Sequence, residues 1–326
     1  MVAQMVGGYR ITQVIATGCR LNIFDHLKNE KMSLKAVAQI TKTKPQLLIR
    51  LLDILVDLQL LKLKNKNYMT SDLGEYLCAD HPLSIKFFSI MCASSWYWDA
   101  WPKLPEVLLS GKSAFLIKHK KAAFDYMTTH TNAADDFHRA MGTNVRPVPT
   151  ALEKCVNSKN INAVLDLGGG DGSLAVAIAE HWSHVLVTVA DLKHAELKAK
   201  IKIKRSIAHK QVQFIVSNFF KPIKGKYDLI ILRHILHDWS DERASLILKH
   251  CKAALNKSGV IIVIERTKSK KSSRMTLLAN IEMMVAMELG VERTKSEFDG
   301  IFKSCGLNSK IKFNREISRN IFILTA

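Results

Sequence analysis

VLDLGGGDGS, residues 164–173, is an apolar run that breaks into four glycines within five residues. An acid stands on each side of the first three glycines, Asp166 before them and Asp171 after. Glycine turns after buried strands hold dinucleotides, phosphates and sulfonium nucleosides alike, so the loop alone leaves the ligand open. Its spacing narrows the choice. Gly168-x-Gly170-x-Gly172 is tighter than the G-x-G-x-x-G of dinucleotide folds and leaves less room for a pyrophosphate on a helix N-terminus. Asp166, at the strand's end, places a carboxylate where a diphosphate is repelled and an amino group or sulfonium is favoured. Asp191 closes a second apolar run, VTVADL (187–192), in position to accept hydrogen bonds from two ribose hydroxyls. That acid also fits NAD, so it identifies a ribose rather than a cofactor. Together these residues favour S-adenosylmethionine over NAD.

The runs INAVLDL (161–167), VLVTVAD (185–191), VQFIV (212–216), YDLIILRH (227–234) and GVIIVIE (259–265) are β-branched and apolar without polar alternation. That is the pattern of parallel strands buried on both faces. Helical stretches separate most of them, which predicts an open, doubly wound α/β sheet. KIKF (310–313) and NIFILT (320–325) lie too close together for a crossover helix, so the last strand is expected to run antiparallel. The fourth run continues as ILHDWSDE and puts His237 and Asp238 just past the carboxyl end of a strand, where open sheets bind ligands. The proline-rich N-P-P-Y or D-P-P-Y of amine-methylating nucleic-acid enzymes is absent there.

Residues 1–80 have a different rhythm. Ile11, Val14, Ile15, Gly18, Leu21 and Phe24 recur near helical spacing. Ser33 is suited to cap a short helix, and Pro45 to open the next. LKLKNKNYMTSDLG (61–74) reads as two extended pieces turning at Asn65 and Asn67. Helices followed by a hairpin is winged-helix order. QLLIRLLDILVDLQLL (46–61), however, is apolar at eleven of sixteen positions, and its only cation is Arg50. A helix reading a DNA groove needs a polar outer face, and Asp53 and Asp57 repel phosphate. The domain is therefore read as an association module. Residues 81–155 read as a helical, aromatic-rich connector that contributes to a substrate pocket, with RPVPT (146–150) as a hinge before the domain 156–326.

Composition closes off some classes. No run of 18 apolar residues predicts a membrane span, and six scattered cysteines without a C-x-x-C read as reduced thiols, so a cytoplasmic location is expected. The net charge of +19 invites a nucleic-acid partner. Much of it sits in KHAELKAKIKIKRSIAHK (193–210), which has no aromatic residue for base stacking, so a solvated basic surface is the expectation.

DLGGGDG, Asp191-Leu192, SNFF (217–220), RHILHDWSDE (233–242), VIIVIE (260–265) and GVERTKSEF (290–298) together resemble the class I S-adenosylmethionine-dependent O-methyltransferases related to plant caffeate, hydroxyindole and bacterial polyketide enzymes. The resemblance covers nearly the whole chain. It implies a Rossmann-like methyltransferase sheet with an N-terminal winged-helix dimerisation domain, a homodimer, and methyl transfer to a phenolic or enolic hydroxyl. It makes His237 the general base, oriented by Glu265 and Glu292. It assigns the cofactor to Asp166, Gly168, Gly170, Asp191, Leu192, Asn218, Phe219 and Arg233. The acceptor falls to Met141, Asn144, Asp238, Trp239, Met283 and Met287. Ser217-Asn218 departs from the family's usual Gly-Asp: an acceptor oxygen for the adenine amino group is kept and a charge is lost. A phenol with pKa near 10 is mostly neutral at pH 7, and a histidine near pKa 6.5 is able to take its proton. His234 and His237 lie three apart, but no third ligand has suitable spacing, so no metal is expected. Three rivals stand beside this reading: a nicotinamide dehydrogenase, a basic winged-helix nucleic-acid binder, and a cofactor-binding relative with non-methylating chemistry.

Overall fold

The five β-branched runs, apolar on both sides, form a single sheet with the two C-terminal ones, of which the outermost, Asn308–Asn314, is mostly exposed. In the computed structural model, which describes residues 1–326, the seven strands are β4 (Ala163–Leu167), β5 (Leu186–Asp191), β6 (Val212–Val216), β7 (Tyr227–Arg233), β8 (Leu255–Glu265), β9 (Asn308–Asn314) and β10 (Arg319–Thr325). They stand in the order β6-β5-β4-β7-β8-β10-β9. Strands β4 to β8 are mutually parallel, and β10 lies antiparallel between β8 and β9, as the short spacing requires. Val164, Leu229 and Ile231 enter one core, with Ile178 and Val189. Their chain neighbours Leu165, Ile230 and Leu232 enter the other, with Ile247, Phe298 and Phe322. Strand order reverses at β4, between β5 and β7, and the crevice at such a switch point is where open sheets bind ligands.

By internal packing the chain divides into two compact units: Met1–Trp98 with Arg139–Asn144, and Asp99–His138 with Val145–Ala326. The stretch 81–155 thus contributes to both. RPVPT is not a free hinge. Pro147 caps helix Val148–Glu153, and Val148, Pro149, Ala151 and Leu152 are buried.

In the first unit Ser33 Oγ accepts the Ala36 N–H at 3.4 Å and caps helix Leu34–Ile40, and Pro45 opens helix Pro45–Asp57. The hairpin of β2 (Leu61–Lys64) and β3 (Asn67–Thr70) turns through Asn65 and Lys66, both left-handed, as a tight two-residue turn needs. A two-residue strand, β1 (Met32–Ser33), pairs with β3 and was not foreseen. The helix predicted over 46–61 stops at Asp57, because Gln59 turns left-handed (φ 58°) to start the hairpin. Leu48, Leu52 and Leu55 are buried, whereas Leu47 is 58% and Ile49 37% exposed. Leu55→Glu should put a charge among Phe24, Leu52 and Ile23 and destabilise this unit by about 3–5 kcal/mol. Leu47→Glu should leave the thermal midpoint nearly unchanged. Equal midpoints for the two variants would refute the assignment of the buried face.

The basic run is largely paired within the molecule. On helix Glu196–Arg205 and just before it, Lys193 and Lys200 meet Glu196, Lys198 meets Asp135, and Lys202 meets Asp171. No helix is long and apolar enough to cross a membrane.

Candidate active site

The loop after β4 needs glycine for its conformation. Gly168, Gly170 and Gly172 have φ of 74°, 56° and 77°, where side chains with a Cβ are strained. At Gly168 a Cβ would also stand 2.4 Å from Ile235 Cδ1. Asp191, at the end of β5, is anchored by two backbone donors: Gly170 N–H to Oδ2 at 2.7 Å and Leu192 N–H to Oδ1 at 2.6 Å. Burial raises its pKa to about 6 against those donors. Asp166 lies beneath the loop rather than on its open face, 2% exposed, with Oδ2 unpartnered. Burial pushes its carboxyl up to about 7, opposed by the charge of Arg233. Arg233 is itself held down to about 10 by burial, with Asp166 and Glu265 opposing.

Past β7 the chain turns sharply at His234 (φ 56°) and brings His237 among three acids. Glu265, the last residue of β8, receives the Ile235 and Leu236 N–H groups on Oε1 at 3.0 and 2.9 Å. Its unpartnered Oε2 stands 3.7 Å from His237 Nδ1. Glu292 Oε1 is 3.3 Å from the same nitrogen, and its backbone N–H is fixed by Asn280 Oδ1 at 2.9 Å. On the other side of the ring, Asp238 Oδ1 is 3.4 Å from Nε2. Burial depresses the imidazolium, but Glu265, Asp238 and Glu292 outweigh it and raise His237 to about 10. The expectation of an unperturbed histidine near 6.5 is therefore corrected: the acids that orient the ring also hold its proton. Burial lifts the Glu265 carboxyl and carries Asp238 to about 7. His234 moves the opposite way, well below its usual value, through burial and the charges of Arg233, Arg319, His237 and Arg266.

Asp238, expected to touch the acceptor, is buried and its Oδ1 faces the imidazole. The missing third donor beside His234 and His237 is supplied by Glu265, with the donor atoms of the three within 4.8 Å of one another. The arginines that depress His234 act against a cation there.

Phe219 and Trp239 meet edge to face at 5.9 Å, Trp239 lies nearly parallel to Phe124, and its Nε1 is unpartnered. Phe219 also comes within 3.7 Å of a Cβ built on Gly168, which puts the aromatic pair beside the glycine loop. Asn218 Oδ1, the oxygen expected to face adenine, accepts the Phe220 N–H at 2.9 Å and closes its own turn. Met283 and Met287 are buried at the end and C-cap of helix Arg274–Ala286. Met141 and Asn144 belong to the other compact unit. Sequence reasoning passed over Arg293, whose guanidinium is fully buried and donates to the Leu236 and Trp239 carbonyls at 2.7 and 2.6 Å. Its only signal is its place beside Glu292.

Comparison with known proteins agrees with this geometry. A family model described as O-methyltransferase domain matches residues 101–308, and one described as O-methyltransferase dimerisation domain matches residues 3–80. Among curated relatives, the 3-O-methylredipecamine 2-O-methyltransferase of Carapichea ipecacuanha is 27% identical over 94% of this chain and 88% of its own. The phenazine O-methyltransferase of Lysobacter antibioticus is 24% identical over 94% and 90%. Among solved structures, human N-acetylserotonin methyltransferase in complex with SAM superposes with a TM-score of 0.86 at 25% identity, covering 99% of this chain and 95% of that one.

Proposed function

Because the chain belongs to the O-methyltransferase family, whose members use S-adenosylmethionine, we propose that it methylates a phenolic or enolic hydroxyl, with His237 taking the proton. Glu265 and Glu292 are its positioning residues. The convergence of both glutamates on one imidazole nitrogen carries this reading. A carboxylate acceptor is ionised at neutral pH and needs no such base.

The residues present fit the cofactor. The left-handed glycines open the backbone to a ligand, and the buried Asp166 Oδ2 has no partner in the protein. Asp191 and Leu192 suit the ribose, Phe219 the adenine face, and Gly168 and Gly170 the loop that cradles the nucleoside. Asp166 and Arg233 act from beneath that loop. When bound, S-adenosylmethionine supplies a methyl group on a sulfonium that leaves as a neutral thioether. The acceptor side is formed by Trp239, Met283 and Met287. The dimerisation domain and the exposed Leu47 and Ile49 support a homodimer.

The chain's own contribution is proton handling. His237 is raised, so its neutral form is scarce at pH 7 and grows as pH rises towards about 10. The imidazole and a phenol of ordinary acidity hold two protons at pH 7 and must shed one to react. kcat/KM should therefore rise about tenfold per pH unit between roughly pH 7 and 9. A flat profile, or benzoate-type acids methylated as efficiently as phenols, would overturn the reading.

A further inference from the structure

Two histidines, His138 buried and His194 half-buried, meet beside the cofactor loop. His138 comes from the helix Thr131–Met141, and His194 lies three residues beyond Asp191. His138 Nε2 and His194 Nδ1 are 2.9 Å apart. The two outer nitrogens, His138 Nδ1 and His194 Nε2, are buried and have no partner in the protein. Leaving two such atoms unpaired is costly, and native proteins seldom do so without a ligand or water to meet them. Nor does the ring pair lack a neighbour in the site. His138, 4% exposed, has Nδ1 3.2 Å from a Cβ built on Gly170, the residue whose N–H binds the Asp191 carboxylate.

We propose that His138 and His194 act as one hydrogen-bonded unit that receives the ribose hydroxyls of the adenosyl cofactor alongside Asp191, a role that rests on the cofactor assignment above. The chemistry of the pair selects a diol. One N–H occupies the bond between the rings, so the outer nitrogens are always one donor and one acceptor, in an order the tautomer decides. A hydroxyl both gives and takes a hydrogen bond, so it matches either order. An ammonium or a carboxylate matches only one. Burial holds both histidines below their usual pKa, with Asp171 and Asp135 opposing and Lys202 reinforcing this at His138, which keeps the pair neutral. Position separates ribose from the amino-acid end of the cofactor: His194 lies three residues beyond Asp191, and His138 stands against Gly170, whose N–H binds the Asp191 carboxylate.

Calorimetric titration with S-adenosylhomocysteine, its 2′-deoxy and 3′-deoxy analogues, and methylthioadenosine tests this. In the wild-type protein, removing one of the two hydroxyls should weaken binding. In His138→Leu the parent nucleoside should bind about five- to tenfold more weakly. For one deoxy analogue, the penalty of the missing hydroxyl should shrink by a similar factor. His194→Leu should show the same coupling and serves if the first variant does not fold. An unchanged hydroxyl penalty in the folded variant would overturn the proposal. So would a loss of affinity confined to S-adenosylhomocysteine and absent for methylthioadenosine, which lacks the amino-acid end. Failure of the wild-type protein to bind S-adenosylhomocysteine would instead overturn the cofactor assignment.

Discussion

Replacing His237 by alanine should lower kcat by about two orders of magnitude or more while S-adenosylhomocysteine binds within a few-fold of the wild-type affinity. The split follows from geometry. His237 is surrounded by Glu265, Glu292 and Asp238, whereas the glycine loop is anchored through Asp191. Steady-state kinetics with titration of the product nucleoside reads both quantities. Since a phenol also reacts once it has ionised in solution, a second comparison is needed. A nitrophenol with pKa near 7 carries its charge without help, so the deficit of His237→Ala should shrink towards a few-fold on that acceptor. A deficit of equal size on ordinary and acidic phenols would show that the ring positions the acceptor without taking its proton. The high pKa makes this test sharp. At about 10 the imidazole is matched to an ordinary phenol, so transfer between them is nearly balanced in free energy.

Much of the fold was legible because it depends on local patterns. Val164 and Leu165, or Leu229 and Ile230, are apolar neighbours facing opposite cores, and only a strand buried twice needs both. Ser33 and Pro45 mark helix starts by chemistry that acts within three residues. The positions of Asp191 and His237 at strand ends were readable for the same reason. What was hidden arises where distant segments converge. Nothing near His237 foretells that Glu265 and Glu292 will outweigh its burial, because they arrive from 28 and 55 residues along the chain. The turn that Asn218 closes was invisible, and the helix from Pro45 looked longer because Gln59 gives no warning of its left-handed backbone. His138 and His194 are 56 residues apart and belong to no motif, so only the packed structure pairs them.

Arg293→Ala should be the most damaging single change to the segment that carries His237. The guanidinium is 1% exposed and spans three acceptors: Leu236 O at 2.7 Å, Trp239 O at 2.6 Å and Asp241 Oδ1 at 2.8 Å from Nε. Both carbonyls belong to the turn on either side of His237, so this side chain staples the residues that position the base. The ion pair is the lesser part, because the Asp241 side chain is 66% exposed and such pairs contribute at most about 1 kcal/mol. The Trp239 carbonyl left without a donor costs more, about 1–3 kcal/mol, the Leu236 carbonyl keeps only the Trp239 N–H at 3.4 Å, and the emptied volume adds to that. A loss of about 3–5 kcal/mol is expected. At a few degrees per kcal/mol for a chain of this size, the melting temperature should fall by roughly 5–15 °C, and kcat should fall with it as the turn loosens. Asp241→Asn should change neither by much. Arg293→Lys should not restore the wild type, since an ammonium on a flexible stem does not reproduce the planar fork that bridges both carbonyls. Wild-type melting and turnover in Arg293→Lys would show that a positive charge at this position is sufficient and that the bridged carbonyls do not hold the turn.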